Sequence, residues 1–278
     1  METHTSEIAR VLAGRIEARR LELPTMPASA ARVLAMCQDG SADAAQLSEV
    51  IHQDPAIASN VLRVANSASY VGHQPCSSLQ QAVSRLGLQL VTEVATAASM
   101  GARLTAGGAR SELAADLWRH SVTTAFYTKE IARSRRRNVE TAFLCGLLHD
   151  VGKMVLLASL TADDLRAPSE ELCAALDEHH VAAGLELAEE WGLPEPVVAS
   201  IRWHHAPESA VLHGDVAMTV CLADLLSHLA SPGGLTAAPT EADLRSHDVL
   251  VGLNLYPDEV DRLLGLRDRA VEFAGGCA

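Results

Sequence analysis

Apolar side chains recur every three to four residues along almost the whole chain, which is the spacing of one buried face of an α-helix. Ile8, Leu12 and Ile16 show this spacing near the start. The chain has no clear strand-like alternation, internal repeat or low-complexity tract. Aromatic residues make up 3% of its 278 residues and hydrophobic residues 48%, so the core must consist mainly of Leu, Val, Ile and Ala. Such a core suits closely packed helices, and the sequence predicts an all-α fold.

Proline, glycine and capping residues mark where the predicted helices begin and end. Asp54 followed by Pro55 is typical of a helix start, because Asp caps the first turn and Pro fits the first helical position. Residues 106–109 and 231–234 are the best loop candidates. The predicted helices cover about residues 6–20, 33–37, 43–52, 55–66, 79–87, 88–104, 111–133, 140–158, 169–191, 194–205, 212–230, 241–250 and 257–274.

The formal net charge of −13 makes nucleic acid and anionic membranes unfavourable partners. The basic run from Arg133 to Arg137 opposes this trend, and a solvated helix end explains it better than a phosphate-binding patch. No segment has the roughly 18 uninterrupted apolar residues of a membrane span, and residues 1–10 lack the apolar part of a signal peptide. The cysteines form no C-x-x-C pair. We expect a cytoplasmic protein with reduced, buried thiols.

His149 and Asp150 are adjacent inside the apolar run 146–153. A buried carboxylate is costly unless it is paired or binds a metal. Adjacent side chains on a helix are about 100° apart, so both residues could flank one metal ion. The alternative is a helix-end pair that faces solvent. We favour a metal site, in which Asp150 could also bridge two ions.

Other histidines and aspartates also fall on predicted apolar helix faces. His120 shares the face of Leu113 and Leu117. Asp116 lies one turn before His120 and is an additional candidate ligand. A lone histidine on such a face is more often a core residue, so the case for His120 depends on the other ligands. The remaining candidates share helical spacing with apolar neighbours and are His180, His204, His205 and Asp224.

Together these residues predict a metal centre of imidazoles and carboxylates. Such a ligand set fits Fe, Mn, Ni or Zn better than Ca or Mg, and we expect one or two divalent ions. A metal pair about 4 Å apart could bind a phosphate and activate a water. Lys153, four residues after His149, could then steady a phosphate oxygen, whereas an ordinary exposed lysine is the alternative. In a hydrolase, Lys153 and Asp150 would be the catalytic candidates.

Short motifs follow one another in a fixed order from Leu21 to Ala230. The N-terminal motifs are Leu23-Pro24-x-x-Pro27, Ile51-x-x-Asp54-Pro55, Leu62-x-x-x-Asn66-Ser67-Ala68 and Ala82-x-x-x-Leu86-Gly87. The C-terminal motifs are Trp118-x-His120-Ser121, Phe143-x-x-Gly146-Leu147-Leu148-His149-Asp150-x-Gly152, His180-x-x-x-Gly184, Trp191-x-Leu193-Pro194 and Ile201-x-x-His204-His205-x-Pro207. With Asp224, this order resembles the HD superfamily of metal-dependent phosphohydrolases and, within it, the HDOD domain of bacterial signalling proteins.

The resemblance implies an N-terminal helical lobe packed on an HD-like helical lobe, and a regulatory or scaffolding role. The domains expected from it are an N-terminal helix (1–20), the N-terminal helical lobe (21–106), the HD-like lobe (111–230) and a C-terminal helical extension (231–278).

Many HDOD proteins have lost part of the HD ligand set, but this sequence fills every ligand position. Lys153 matches a lysine of the cyclic-di-nucleotide phosphodiesterase branch of the superfamily. That branch also carries a Gly-Tyr-Pro motif after its paired histidines, and Gly-Tyr-Pro occurs nowhere in this chain. The resemblance therefore favours metal binding and disfavours cleavage of cyclic-di-GMP.

Two hypotheses of function remain. The first is a regulatory module that acts by binding a protein or a small ligand, with the metal site as a structural or sensory element. The second is a metal-dependent phosphohydrolase that acts on a nucleotide or phosphodiester. We favour the first. The expected partners are a regulatory protein and a nucleotide or phosphate ligand, and the sequence leaves a homodimer open.

Overall fold

The computed structural model describes residues 6–39, 47, 51, 54–70, 74–105, 111–161, 163–166, 168–231 and 239–277. Within these ranges the chain is helical and contains no strand, which confirms the predicted all-α class. The α-helices are α1 (Glu7–Glu17), α2 (Ala28–Asp39), α3 (Pro55–Ala65), α4 (Leu79–Leu86), α5 (Leu88–Leu104), α6 (Ser111–Ser134), α7 (Val139–Leu148), α8 (Val151–Ser159), α9 (Ser169–Glu190), α10 (Glu195–Trp203), α11 (Gly214–Ala230), α12 (Glu241–Arg245), α13 (Val249–Gly252), α14 (Pro257–Leu264) and α15 (Arg267–Cys277). Short 3₁₀ turns cover Asp164–Arg166 and Pro207–Ser209.

Side-chain caps begin several of these helices. The Asp54 carboxylate accepts a 2.9 Å hydrogen bond from the backbone N–H of Ala56, and Pro55 takes the first helical position of α3, as predicted. Asn138 caps α7 in the same way, by accepting from the backbone of Thr141. These local interactions set the helix starts near the positions that the sequence indicates.

The helix predicted over 140–158 is interrupted at His149 and Asp150. Helix α7 ends at Leu148 and α8 begins at Val151, because Asp150 leaves the helical conformation with φ −106° and ψ 13°. The prediction of one continuous helix was therefore wrong. The predicted helices 241–250 and 257–274 are likewise each divided in two. Of the helix predicted over 43–52, the structure describes only Leu47 and Ile51, which are both helical and buried. The loops predicted at 106–109 and 232–234 lie outside the described residues.

Helix α6 is the central helix of the fold. It packs against α7, α11 and α15, while α9 packs against α8 and α1, and α10 packs against α7 and α11. Helices α2 to α5 pack mainly on one another, and α5 also contacts α6, α7 and α15. The apolar side chains between these helices form one continuous core, rich in Leu, Val, Ile and Ala. This packing brings the middle of α6 close to α7 and α11.

The segment 139–159 is long and apolar enough to cross a membrane by length and composition alone. Its most apolar window is, however, 89% buried inside the fold. Such burial is typical of core helices. The five cysteines whose side chains are described are free and buried, as the sequence predicts.

Helices α8 and α9 approach each other closely at Gly152. A Cβ atom on Gly152 would lie 1.8 Å from the carbonyl oxygen of His180 and 2.6 Å from the backbone nitrogen of Gly184. No side chain fits between these two backbones. The contact sets His180 directly opposite the start of α8, next to Asp150.

Substitution of Gly152 by Ala should lower the free energy of unfolding by about 3 kcal/mol, because the obstacle is backbone that cannot turn aside. Urea unfolding followed by circular dichroism measures this change. Gly14→Ala is the matched control, since Gly14 is an exposed helical glycine with no atom within 4 Å of a new Cβ. The control should gain about 0.5–1 kcal/mol. Equal stability of Gly152→Ala and the unchanged protein would contradict this packing.

Candidate metal centre

Five parts of the chain bring the predicted site residues together. The residues are His120 on α6, His149 and Asp150 at the junction of α7 and α8, His180 on α9, His204 and His205 directly after α10, and Asp224 on α11. The side chains of His149, Asp150, His180 and His204 are at least 95% buried.

The Asp150 carboxylate lies at the middle of the cluster. Its Oδ1 atom is 3.3 Å from Nε2 of His180 and 3.4 Å from Nε2 of His204. Its Oδ2 atom is 3.5 Å from Nε2 of His149 and 2.7 Å from Nζ of Lys153. The Asp150 carboxylate therefore has two neighbouring groups at each of its oxygens, as a bridging carboxylate would.

The Asp224 carboxylate forms a second focus beside the first. Its Oδ1 atom is 2.9 Å from Nε2 of His120 and 3.7 Å from Nε2 of His149. Nε2 of His120 is also 3.9 Å from Oδ2 of Asp150. His120 and His149 therefore lie between the two carboxylates and connect the two halves of the cluster.

Backbone carbonyl groups set the orientation of three imidazole rings. In each ring Nδ1 lies within hydrogen-bond distance of a carbonyl oxygen, so Nδ1 carries a proton, and in the neutral ring the lone pair is on Nε2. The three contacts are His149 to Gly146 at 2.8 Å, His180 to Asp177 at 2.8 Å, and His204 to Ser200 at 3.0 Å. This arrangement turns three Nε2 lone pairs towards the carboxylates, which is how metal-binding histidines are usually oriented.

Several buried donor atoms of the cluster point at one another instead of at conventional hydrogen-bond partners. Nε2 of His180 lies 3.3 Å from Nε2 of His204 and 3.2 Å from Nε2 of His205. Four other buried atoms lack any hydrogen-bond partner: Nε2 of His120, Nε2 of His149, Oδ1 of Asp150 and Oδ1 of Asp224. Buried polar atoms are nearly always paired in proteins. The arrangement fits a divalent transition metal with imidazole and carboxylate ligands.

The ligand atoms divide into three overlapping groups, and within each group all atoms lie within 4.8 Å of one another. The groups are Asp150, His180, His204 and His205; His120, His149 and Asp150; and His120, Asp224 and His228. Because Asp150 and His120 are each shared by two groups, the cluster has room for more than one ion.

The charges of the cluster stabilise both carboxylates in their ionised form. Burial alone would raise the pKa of Asp150, but Lys153 and His149 lower this pKa well below its ordinary value. Burial likewise opposes ionisation of Asp224, and the imidazoles of His120 and His149, which lie directly beside its carboxylate, lower its pKa well below its ordinary value. Burial lowers the pKa of His180, so its imidazole stays neutral and able to bind a metal.

Lys153 is buried between two carboxylates, so the alternative of an exposed lysine was wrong. Its Nζ atom is 2.7 Å from Asp150 and 2.8 Å from Asp177. Burial alone would lower the pKa of Lys153, but the two carboxylates raise this pKa above its ordinary value. Lys153 balances the charge of Asp150 and would have to give up a carboxylate partner to reach a phosphate.

The structure does not bring Asp116 to the cluster. Its side chain is 54% exposed and pairs with Arg119 on the outer surface of α6.

Two residues that the sequence analysis missed do lie at the site, namely Asp177 and His228. Asp177 is three residues before His180, and His228 is four residues after Asp224. Both could have been predicted from the sequence, because residues three or four positions away from a candidate ligand lie on the same face of a helix.

Replacement of Lys153 by Met should lower the free energy of unfolding by about 3 kcal/mol or more, because it leaves Asp150 buried without its nearest cation. Urea unfolding in the presence of a chelator, at pH 7.5, measures this effect. The control is Arg166→Ala, which removes an ion pair to Asp163 whose side chains are over 80% exposed. That change should cost less than about 0.5 kcal/mol. Similar losses in both variants would contradict a charge-balancing role for Lys153.

The metal-free protein should lose stability as the pH falls from about 7.5 to 5.5. Burial lowers the pKa of His180 and His228 in the folded state below 6.5, the value in the unfolded chain. Protons then bind preferentially to the unfolded chain, and each such histidine can cost up to about 1.4 kcal/mol per pH unit below that value. Urea midpoints measured with chelator at three pH values test this. His180→Gln should show a shallower decline, and a flat profile for the unchanged protein would refute the prediction.

Among known protein families, the HDOD domain matches this sequence over residues 23–207. An uncharacterised protein from Treponema pallidum is 26% identical over 224 residues, which are 75% of this chain and 42% of that protein. Ribonuclease Y from Aquifex aeolicus is 35% identical over 114 residues, which are 41% of this chain and 17% of that enzyme. The chain thus spans less than half the length of either curated relative.

Two solved structures share the fold over almost the full length of both chains. An HDOD domain protein of unknown function from Geobacter sulfurreducens has a TM-score of 0.74 at 24% identity, covering 98% of this chain and 97% of the other. A candidate metal-dependent phosphohydrolase from Shewanella amazonensis has a TM-score of 0.71 at 23% identity, covering 98% and 99%. At such identities the likeness concerns the fold. Because the family match extends over more than half of its residues, this chain belongs to the HDOD family.

Proposed function

We propose that this protein is a bacterial signalling protein that acts by binding a regulatory partner or a small ligand, and that its HD-type centre holds one or two divalent transition-metal ions. The observation that carries the metal assignment is the convergence of buried, unpartnered donor atoms described above. The proposed ligands are His120, His149, Asp150, His180, His204, His205 and Asp224.

The family supports the regulatory part of this proposal. HDOD domains resemble output modules of signalling proteins, and the match covers the N-terminal helices as well as the metal centre. We infer that helices α2 to α5 act as an N-terminal lobe on an HD-like lobe that carries the site. Helix α6 joins them, because it contributes His120 to the centre and also contacts α5. A change at the metal centre could therefore reach the N-terminal helices through α6, and also through α7, which ends directly before His149 and contacts α5.

The charge and composition of the chain support the remaining parts of the proposal. The net charge of −13 disfavours nucleic acid and anionic membranes as partners. Buried, free thiols fit a cytoplasmic location. The nucleotide or phosphate ligand expected from the sequence would bind near the metal centre, and a homodimer stays an open alternative.

The alternative function is a metal-dependent phosphohydrolase, and the full set of unpartnered donor atoms favours it. The local similarity to ribonuclease Y and the fold shared with the Shewanella protein also support it. A bound ion would supply Lewis acidity and lower the pKa of a coordinated water. The residues of the chain would position that ion through Asp150 and exclude bulk water through burial. The pairing of Lys153 with Asp150 and Asp177 weighs against this alternative, because it leaves no free cation for a phosphate at that position.

Metal analysis and a phosphodiester assay separate the two functions. We expect the purified protein to contain Fe, Mn, Ni or Zn, and to lose it in the variants His149→Ala and Asp150→Ala. We expect no hydrolysis of a generic phosphodiester such as bis-p-nitrophenyl phosphate, with or without added Mn²⁺. His247→Ala is the control, because this histidine accepts a hydrogen bond from Val249 outside the cluster.

Two outcomes would overturn parts of the proposal. Hydrolysis that needs Mn²⁺ and disappears in both site variants, but not in His247→Ala, would establish the phosphohydrolase. A protein that binds none of the four metals after reconstitution would remove the metal centre, and the unpartnered atoms would then need another explanation.

A further inference from the structure

We propose that His228 is an additional metal ligand, which closes the centre on the side of Asp224. The inference rests on the proposed metal centre and extends its ligand set beyond the residues identified from the sequence. His228 lies on α11, four residues after Asp224, so both side chains occupy one face of the helix.

The distances around Asp224 match those of ligands that share one ion. Nε2 of His120 is 2.9 Å from Oδ1 of Asp224, and Nε2 of His228 is 3.4 Å from the same oxygen. Two donors that each lie about 2.1 Å from an ion are about 3.0–3.4 Å apart at octahedral to tetrahedral angles. The rings of His120 and His228 are tilted by 35°, with centroids 4.5 Å apart. The donor atoms of all three residues lie within 4.8 Å of one another, around one small space.

A hydrogen bond from His120 does not explain this arrangement. The hydroxyl of Ser227 donates to the backbone oxygen of His120 at 3.3 Å, so it accepts from Nδ1 of the same ring at 3.1 Å. In the neutral ring the lone pair is then on Nε2, which lies 2.9 Å from Oδ1 of Asp224, an oxygen without a hydrogen-bond partner. The three side chains are less than 20% exposed, so water has little access to them. A shared cation satisfies these atoms together.

Binding by His228 would change what the centre can do. Catalytic metal ions keep an open position for water or substrate, whereas structural ions have all positions filled by protein. With His120, His149 and His228 around Asp224, imidazoles would occupy the coordination positions that a hydrolytic ion leaves open for water. The additional ligand therefore favours a structural or sensory ion over a hydrolytic one on this side of the cluster.

Cobalt binding tests the inference directly. The full chain is stripped of metal, titrated with Co²⁺, and followed by its visible spectrum and by metal analysis, for the unchanged protein, His228→Ala, His228→Gln and the control His247→Ala. We expect both His228 variants to bind Co²⁺ at least about tenfold more weakly and with an altered spectrum. The control should match the unchanged protein in both readouts.

The two His228 variants distinguish a ligand from a residue that only holds Asp224 in place. Gln keeps an N–H donor that can hold the carboxylate, and it also keeps most of the side-chain volume, so the fold is retained if Ala proves too small. Unaltered Co²⁺ affinity and spectrum in His228→Gln would overturn the inference and leave the proposed metal centre standing. Absence of Co²⁺ binding in the unchanged protein would instead overturn the metal centre itself.

Discussion

The interior carboxylates of Asp150 and Asp224 are the constraint on which the rest of the site depends. An ionised carboxylate in the core is unstable unless opposite charge and hydrogen bonds surround it. Lys153 supplies one ammonium group, and Asp177 adds a third carboxylate on the far side of that lysine. With neutral imidazoles, three carboxylates and one ammonium leave two negative charges. One divalent cation at the proposed centre would neutralise them, and it would also account for the lone pairs that face one another at this point of the fold.

The break between α7 and α8 gives these charges their position. In a continuous helix, His149 and Asp150 would diverge around the axis. The turn at Asp150 instead brings its carboxylate within 3.5 Å of Nε2 of His149. The next turn of chain must then pass directly over α9, and only glycine at position 152 allows that approach. The apolar run 146–153 therefore encodes both a break in the helix and a close crossing of two helices.

Sequence periodicity was sufficient to predict most of the helices and most of the residues that converge in the cluster, but it could not predict where a helix is interrupted or how far its inward face extends. Four residues along a helix turn the chain about 40° beyond a full circle. That offset carries Asp116 out to solvent and to Arg119, whereas on α11 it carries His228 towards His120. The outcome depends on which neighbouring helices cover each face, and that packing is a long-range property. The same limitation explains why the burial of Lys153 could not be predicted from the residues around it in the sequence. One of its two carboxylate partners, Asp177, lies on a different helix, α9.

A full set of ligand positions does not by itself make a hydrolytic centre. A hydrolytic centre needs its donors, but it also needs a free position for water and a free cation for the phosphate. In this fold the cation at position 153 is already held by two carboxylates, and the face of Asp224 is lined by imidazoles. Such a centre would bind metal tightly and present little of it to substrate. In the proposed regulatory role, the ligands would hold α6, α9 and α11 around the ion, and so would fix the shape that a signalling partner recognises.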